Sequence, residues 1–123
     1  MPASSNRISR AFAAALAVLA AGAAAHAASP AAIASGKKIA FSRKKGNCIA
    51  CHSLPGAAMP GNVGPRLGPW IKSVFRTKQD LVQYLYDPQA KVPHVVMPKF
   101  GKNDVLTETE LRQVADYLWS LKR

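Results

Sequence analysis

Along this chain of 123 residues, apolar positions recur at helical spacing in three places, and no run alternates well enough to make a strand. The first stretch runs from Ala31 to about Arg43, where Ile33, Gly36, Ala40 and Phe41 repeat at that spacing. Lys37, Lys38, Arg43, Lys44 and Lys45 take the other faces and the C-terminal end, where cations suit the helix dipole. Glycine in mid-helix costs about 1 kcal/mol against alanine. Gly36 therefore reads either as a close crossing point for another helix or as a tolerated glycine. Gly46-Asn47 turns the chain out of this helix. The second stretch opens on Thr77 as N-cap and carries Leu81, Val82, Leu85 and Tyr86 to a stop near Asp87, ahead of Pro88. The third is the clearest. Thr107 and Glu110 make a capping box, and Leu111, Val114, Ala115 and Leu118 form one apolar face flanked by Tyr117 and Trp119.

The segments between the helices are dense in breakers. Between Ser53 and Trp70 lie Pro55, Pro60, Pro65 and Pro69 with Gly56, Gly61, Gly64 and Gly68, which no helix or strand survives. A loop that long in a small domain is usually functional. A second irregular stretch, with Pro93 and Pro98, runs to Asp104. At the start, Arg7 and Arg10 precede an apolar run from Ala11 to Ala25 and an Ala25-His26-Ala27 cleavage pattern. This predicts a secretory signal peptide over residues 1–27, cleaved to leave one domain over 28–123. The run falls short of the roughly 20 residues a membrane span needs, which disfavours an uncleaved anchor. The expected location is periplasmic, with no membrane span in the mature protein.

Charge sharpens the picture. The formal net charge is +11, and with the leader removed fifteen Lys and Arg stand against six Asp and Glu. Such a surface is either simply solvated or steers the protein toward an acidic partner or anionic substrate. Export and the lack of aromatic-basic interleaving argue against nucleic acid.

The candidate chemistry sits in Cys48-Ile49-Ala50-Cys51-His52, which holds both cysteines of the chain. C-x-x-C-H is the attachment signature of a c-type haem. Each thiol adds to one vinyl group, and the adjacent imidazole becomes an axial iron ligand. One covalent haem c is therefore expected, on Cys48 and Cys51, with His52 on the iron. A thioredoxin-like redox pair would need a βαβ context, and a closed zinc site a second ligand pair. A ligating histidine generally donates its other ring N–H to an acceptor, and the Pro65 carbonyl is the candidate, with Leu67 packing on the porphyrin. A plain turn at Gly64-Pro65 is the alternative. A small domain gains a large apolar surface to fold around, which fits so short a chain.

For the sixth ligand the candidates are Met59, His94 and Met97. Met97 is favoured. It lies 45 residues beyond His52, far enough to reach the other face of the disc, and Pro98 holds it extended. Met59 follows His52 by only seven residues and reads as a packing methionine. His94 would give a bis-histidine iron of lower potential, or is an exposed loop histidine. A His52/Met97 iron is closed, so it transfers electrons and offers substrate no open position.

These features resemble a class I cytochrome c, which implies an all-α fold of helices wrapped around a covalent haem with long irregular loops. Three blocks narrow the likeness: Gly46-Asn47-Cys48-Ile49-Ala50-Cys51-His52, Pro60-Gly61-Asn62-Val63-Gly64-Pro65 and Val96-Met97-Pro98-Lys99-Phe100-Gly101. Together they resemble the SoxX family, the small monohaem subunit of the sulfur-oxidation cytochrome complex SoxAX. Lys99 departs from the proline common there. The resemblance implies a periplasmic heterodimer with a SoxA-like haem subunit, acting on a sulfur-carrier protein. That complex oxidatively joins thiosulfate to a carrier cysteine (an L-cysteine S-thiosulfotransferase reaction), and the small subunit passes electrons to a downstream acceptor. No catalytic residue is expected in this chain, since neither cysteine is spare. The alternatives are a free-standing diffusible cytochrome c and a small haem enzyme or sensor in which Met97 dissociates.

Overall fold

The computed structural model describes residues 27–122; the apolar run of the expected signal peptide lies outside the described residues. Four α-helices form: α1 (Pro30–Phe41), α2 (Ile71–Val74), α3 (Lys78–Tyr86) and α4 (Glu108–Trp119). Two 3-10 turns, Cys48–Ala50 and Pro88–Ala90, join them, and no strand occurs among the described residues. The fold is all-α.

Each helix starts where its sequence caps it. Ser29 accepts from the Ala32 N–H, and Pro30, which has no N–H to satisfy, opens α1. Thr77 and Asp80 form a full capping box on α3, as Thr107 and Glu110 do on α4. Thr77 had signalled only an N-cap; the reciprocal carboxylate comes from Asp80. α1 ends at Phe41, two residues earlier than its periodicity predicts, because Ser42 is extended and residues 43–46 wind as turns.

The principal contact is α1 against α4, and α3 also packs on α4. Leu111, Val114, Ala115 and Leu118 are all buried, together with Leu81, Val82 and Leu85 from α3. Gly36 is the crossing point. A Cβ there would overlap the Gln113 carbonyl oxygen, so no other residue allows the two backbones this close. Tyr117, expected to flank the α4 face, is buried within it at 5% exposure, because α1 crosses directly above. α2 went unforeseen. Its four residues carry no periodicity, and Ile71 alone anchors them in the core.

Ion pairs fasten the frame. Lys45 Nζ donates to Glu110 at 2.8 Å, tying the turn after α1 to the start of α4. Lys78 pairs with Asp116, tying α3 to α4. None of the described helices is long and apolar enough to cross a membrane.

Candidate haem attachment site

Asn47 brings the chain out of the turn after α1 with φ 48°, a left-handed conformation that asparagine tolerates. The Cys51 and His52 N–H groups then both reach the Cys48 carbonyl, at 3.2 and 2.8 Å. The i→i+3 winding of the 3-10 turn brings side chains three apart onto one side. Cys48 and Cys51 are such a pair.

Cys48 is buried, and burial pushes its thiol up to about 11. Redox-active C-x-x-C pairs show the opposite, a thiol lowered by a cation or a helix N-terminus. The thioredoxin-like alternative is therefore a poor fit. Among the described residues, no three His, Cys, Asp or Glu side chains gather as a closed zinc site would need.

The breaker-rich segment after the motif folds back over it as a strap. Gly61 N–H donates to the Ile49 carbonyl at 2.8 Å, Gly64 N–H to Cys51 at 2.8 Å, and Leu67 N–H to Ser53 at 2.9 Å. A Cβ on Gly61 would overlap the Ala50 carbonyl, and one on Gly64 would overlap the His52 ring. The approach requires glycine at both. Beyond Gly64 the strap presents its next carbonyl to the imidazole, and His52 Nδ1–H donates to Pro65 at 2.7 Å. A carbonyl can only accept, so Nδ1 carries the proton and Nε2 keeps its lone pair. Sequence reasoning had named the Pro65 carbonyl. It had missed the roles of Gly61 and Gly64, which it read only as breakers and as members of the Pro60 to Pro65 block.

Leu67 is half-buried and packs against the core. Met97 is also half-buried against the core, between exposed Val96 and exposed Pro98. Its loop is anchored on both flanks. Gln89 Nε2–H donates to the Val95 carbonyl at 3.1 Å, Gly101 N–H to Tyr86 at 3.2 Å, and Lys102 Nζ to Asp87 at 2.9 Å. The hydrogen bond from Lys102 holds the Asp87 carboxyl below its ordinary value, and Asp87 holds the Lys102 ammonium up. His94 is exposed, with φ 67°. Met59 differs from its expected packing role: it stands 87% exposed, on a loop between Pro55 and Pro60 that leaves only Ala57 half-buried.

The residues present fit a covalent haem. Two thiols share one side of a 3-10 turn, and the next side chain is an imidazole whose Nε2 is spared by the Pro65 bond. Half-buried Ile49, Leu67, Phe75, Met97 and Trp119 border the core as apolar surface available to a flat group. Two surface clefts, of about 350 and 470 Å³, are bordered chiefly by α3 and α4 and include none of these residues.

Comparison with known proteins agrees. An uncharacterized lipoprotein of Aquifex aeolicus (strain VF5) is 36% identical over 76 residues, which is 61% of this chain and 36% of that protein. The chain thus spans about a third of that relative's length. The cytochrome c family model matches residues 33–122, from within α1 to beyond the end of α4. Domains of this family carry covalently bound haem c, serve electron transfer and are generally extracytoplasmic. With the helical frame and a match over nearly all the described residues, the chain belongs to the cytochrome c family, as a class I c-type cytochrome.

Proposed function

We propose that this protein is the electron-transfer subunit of a SoxAX-like thiosulfate-oxidising complex, exported to the periplasm by a signal peptide over residues 1–27. The observation that carries the reading is the pair of blocks that follow the motif, Pro60 to Pro65 and Val96 to Gly101, in the order that the SoxX family has them. The supply of thiols supports it: both cysteines lie in the motif, so any cysteine-based sulfur chemistry falls to a partner.

In this reading Cys48 and Cys51 would hold the haem as thioethers, and His52 and Met97 would be its iron ligands. The haem, when bound, supplies a one-electron ferric/ferrous couple. The chain's residues set its conditions. His52, oriented by the bond to Pro65, presents Nε2 as the ligating nitrogen. The anchored loop aims Met97, whose thioether favours ferrous iron and raises the potential. Leu67 packs on the proximal side and excludes water. With His52 and Met97 both bound to it, the iron would pass electrons and offer substrate no open position.

The partners would be a SoxA-like haem subunit, a sulfur-carrier protein and a downstream acceptor. A pull-down of the tagged protein from thiosulfate-grown cells, stained for haem, should recover a second, larger haem polypeptide in stoichiometric amount. Isolation as a monomer under those conditions would reject the heterodimer in favour of a free-standing electron carrier.

A further inference from the structure

The peptide unit that joins Arg66 to Leu67 is pinned at both ends. Its N–H, on Leu67, donates to the Ser53 carbonyl at 2.9 Å, and its carbonyl, on Arg66, accepts the indole Nε1–H of Trp70 at 2.7 Å. The carbonyl one residue earlier is that of Pro65, which takes the His52 Nδ1–H at 2.7 Å. Peptide units are rigid planes, so only φ and ψ of Arg66 separate the pinned unit from the carbonyl on the imidazole. On the upstream side the Gly64 N–H is held by Cys51 at 2.8 Å, and the ring of Pro65 fixes its own φ. Trp70 reaches back because Gly68-Pro69-Trp70-Ile71 is a turn, closed by the Ile71 N–H on the Gly68 carbonyl at 3.2 Å. Proline suits the second place of such a turn, and Ile71, 2% exposed, seats it on the core. Trp70 itself is 40% exposed. Water could satisfy its N–H equally well, so the bond adds little net stability. What it does is set the angle of a backbone unit.

We propose that Trp70 is a positioning residue for His52: by pinning the Arg66–Leu67 peptide, its indole N–H keeps the Pro65 carbonyl at hydrogen-bond distance from the imidazole and so sets how strongly His52 donates to iron. A short bond from Nδ1–H leaves more negative charge on the ring and makes Nε2 the more basic ligand, which favours ferric iron. With the indole N–H gone, the Arg66 carbonyl turns to water for its donor and the Pro65 carbonyl turns with it. The imidazole then gives less, and ferrous iron is favoured.

The inference rests on the proposed ligation of haem iron by His52. Ring-current-shifted imidazole protons in the NMR spectrum of the native ferrous holoprotein check that ligation separately. Benzothienylalanine, placed at position 70, keeps the outline of the indole and puts sulfur where the N–H stood. At a fixed applied potential this variant should raise the ferrous-to-ferric ratio by about threefold, the scale of a neutral hydrogen bond partly lost. Its His52 Nδ1–H resonance should move upfield and exchange faster with solvent. Trp70→Phe, which also lacks the donor, should move ratio and resonance in the same directions. With His52 shown on the iron, an unchanged ratio and resonance in the benzothienyl variant would overturn the positioning role and leave the ligation intact. So would a lower ferrous-to-ferric ratio, the sign of water reaching the haem instead of a weakened bond at Nδ1.

Discussion

His52 is oriented by one carbonyl and confined by one missing methyl group. The 2.7 Å bond to Pro65 fixes which nitrogen carries the proton, and Gly64 supplies the room in which the ring turns. Gly64→Ala should therefore keep the covalent haem and destabilise the holoprotein by about 1–3 kcal/mol, the cost of overpacking, read from thermal unfolding. Unchanged stability would show that the strap can move aside. On the other face, Met97→Ala should retain the covalent haem, lose the weak charge-transfer band at the red edge of the ferric spectrum and lower the midpoint potential. An unchanged potential would remove Met97 from the iron. At this scale the sequence was legible where chemistry is local. C-x-x-C-H named its own residues, and Met97-Pro98 named a constrained thioether. Gly61 and Gly64 were opaque because their partners, Ala50 and His52, become neighbours only once the strap has closed.

Helices were legible through their ends. Thr107 and Glu110 announced α4 by a capping box that the structure contains bond for bond, while α2 owes its existence to one buried isoleucine and left no pattern to find. Tyr117 was misjudged because α4 alone does not reveal that α1 crosses over it at a glycine. The Lys45–Glu110 pair gives the α1–α4 frame a pH dependence. The hydrogen bond from Lys45, with the Thr107 N–H behind it, holds the Glu110 carboxyl below its ordinary value. A carboxyl depressed by folding contributes stability that is complete above its unfolded pKa and is lost as pH falls through the folded one. Glu110→Gln should thus melt earlier than the native holoprotein at neutral pH. The gap should close as the pH is taken below the ordinary carboxylate range, through the depressed value that Glu110 has in the folded protein. A gap that stays constant across that range would mean that the carboxylate charge contributes nothing.

Across the whole molecule, charge is divided along the chain. All six carboxylates lie between Asp80 and Asp116, whereas residues 27–79 carry nine Lys and Arg and no acid. Four of the six carboxylates are engaged in ion pairs, with Lys45, Lys78, Lys102 and Arg112. The segment that includes the haem motif is thus almost uniformly cationic. Its encounter with an electron-transfer partner should be steered by an acidic surface. Stopped-flow association should slow about tenfold or more as ionic strength rises from about 10 mM to about 200 mM. A rate indifferent to salt would mean that the basic segment faces away from the partner. The burial of Cys48 also bears on how the protein is made. With the chain folded and Cys48 still a free thiol, the group is buried against α1 and keeps its proton, which makes it a poor nucleophile. If the haem is joined through Cys48, the strap bonds and the crossing at Gly36 are expected to close after attachment. Maturation is then expected to run in a set order, ligation to the open chain first and closure second.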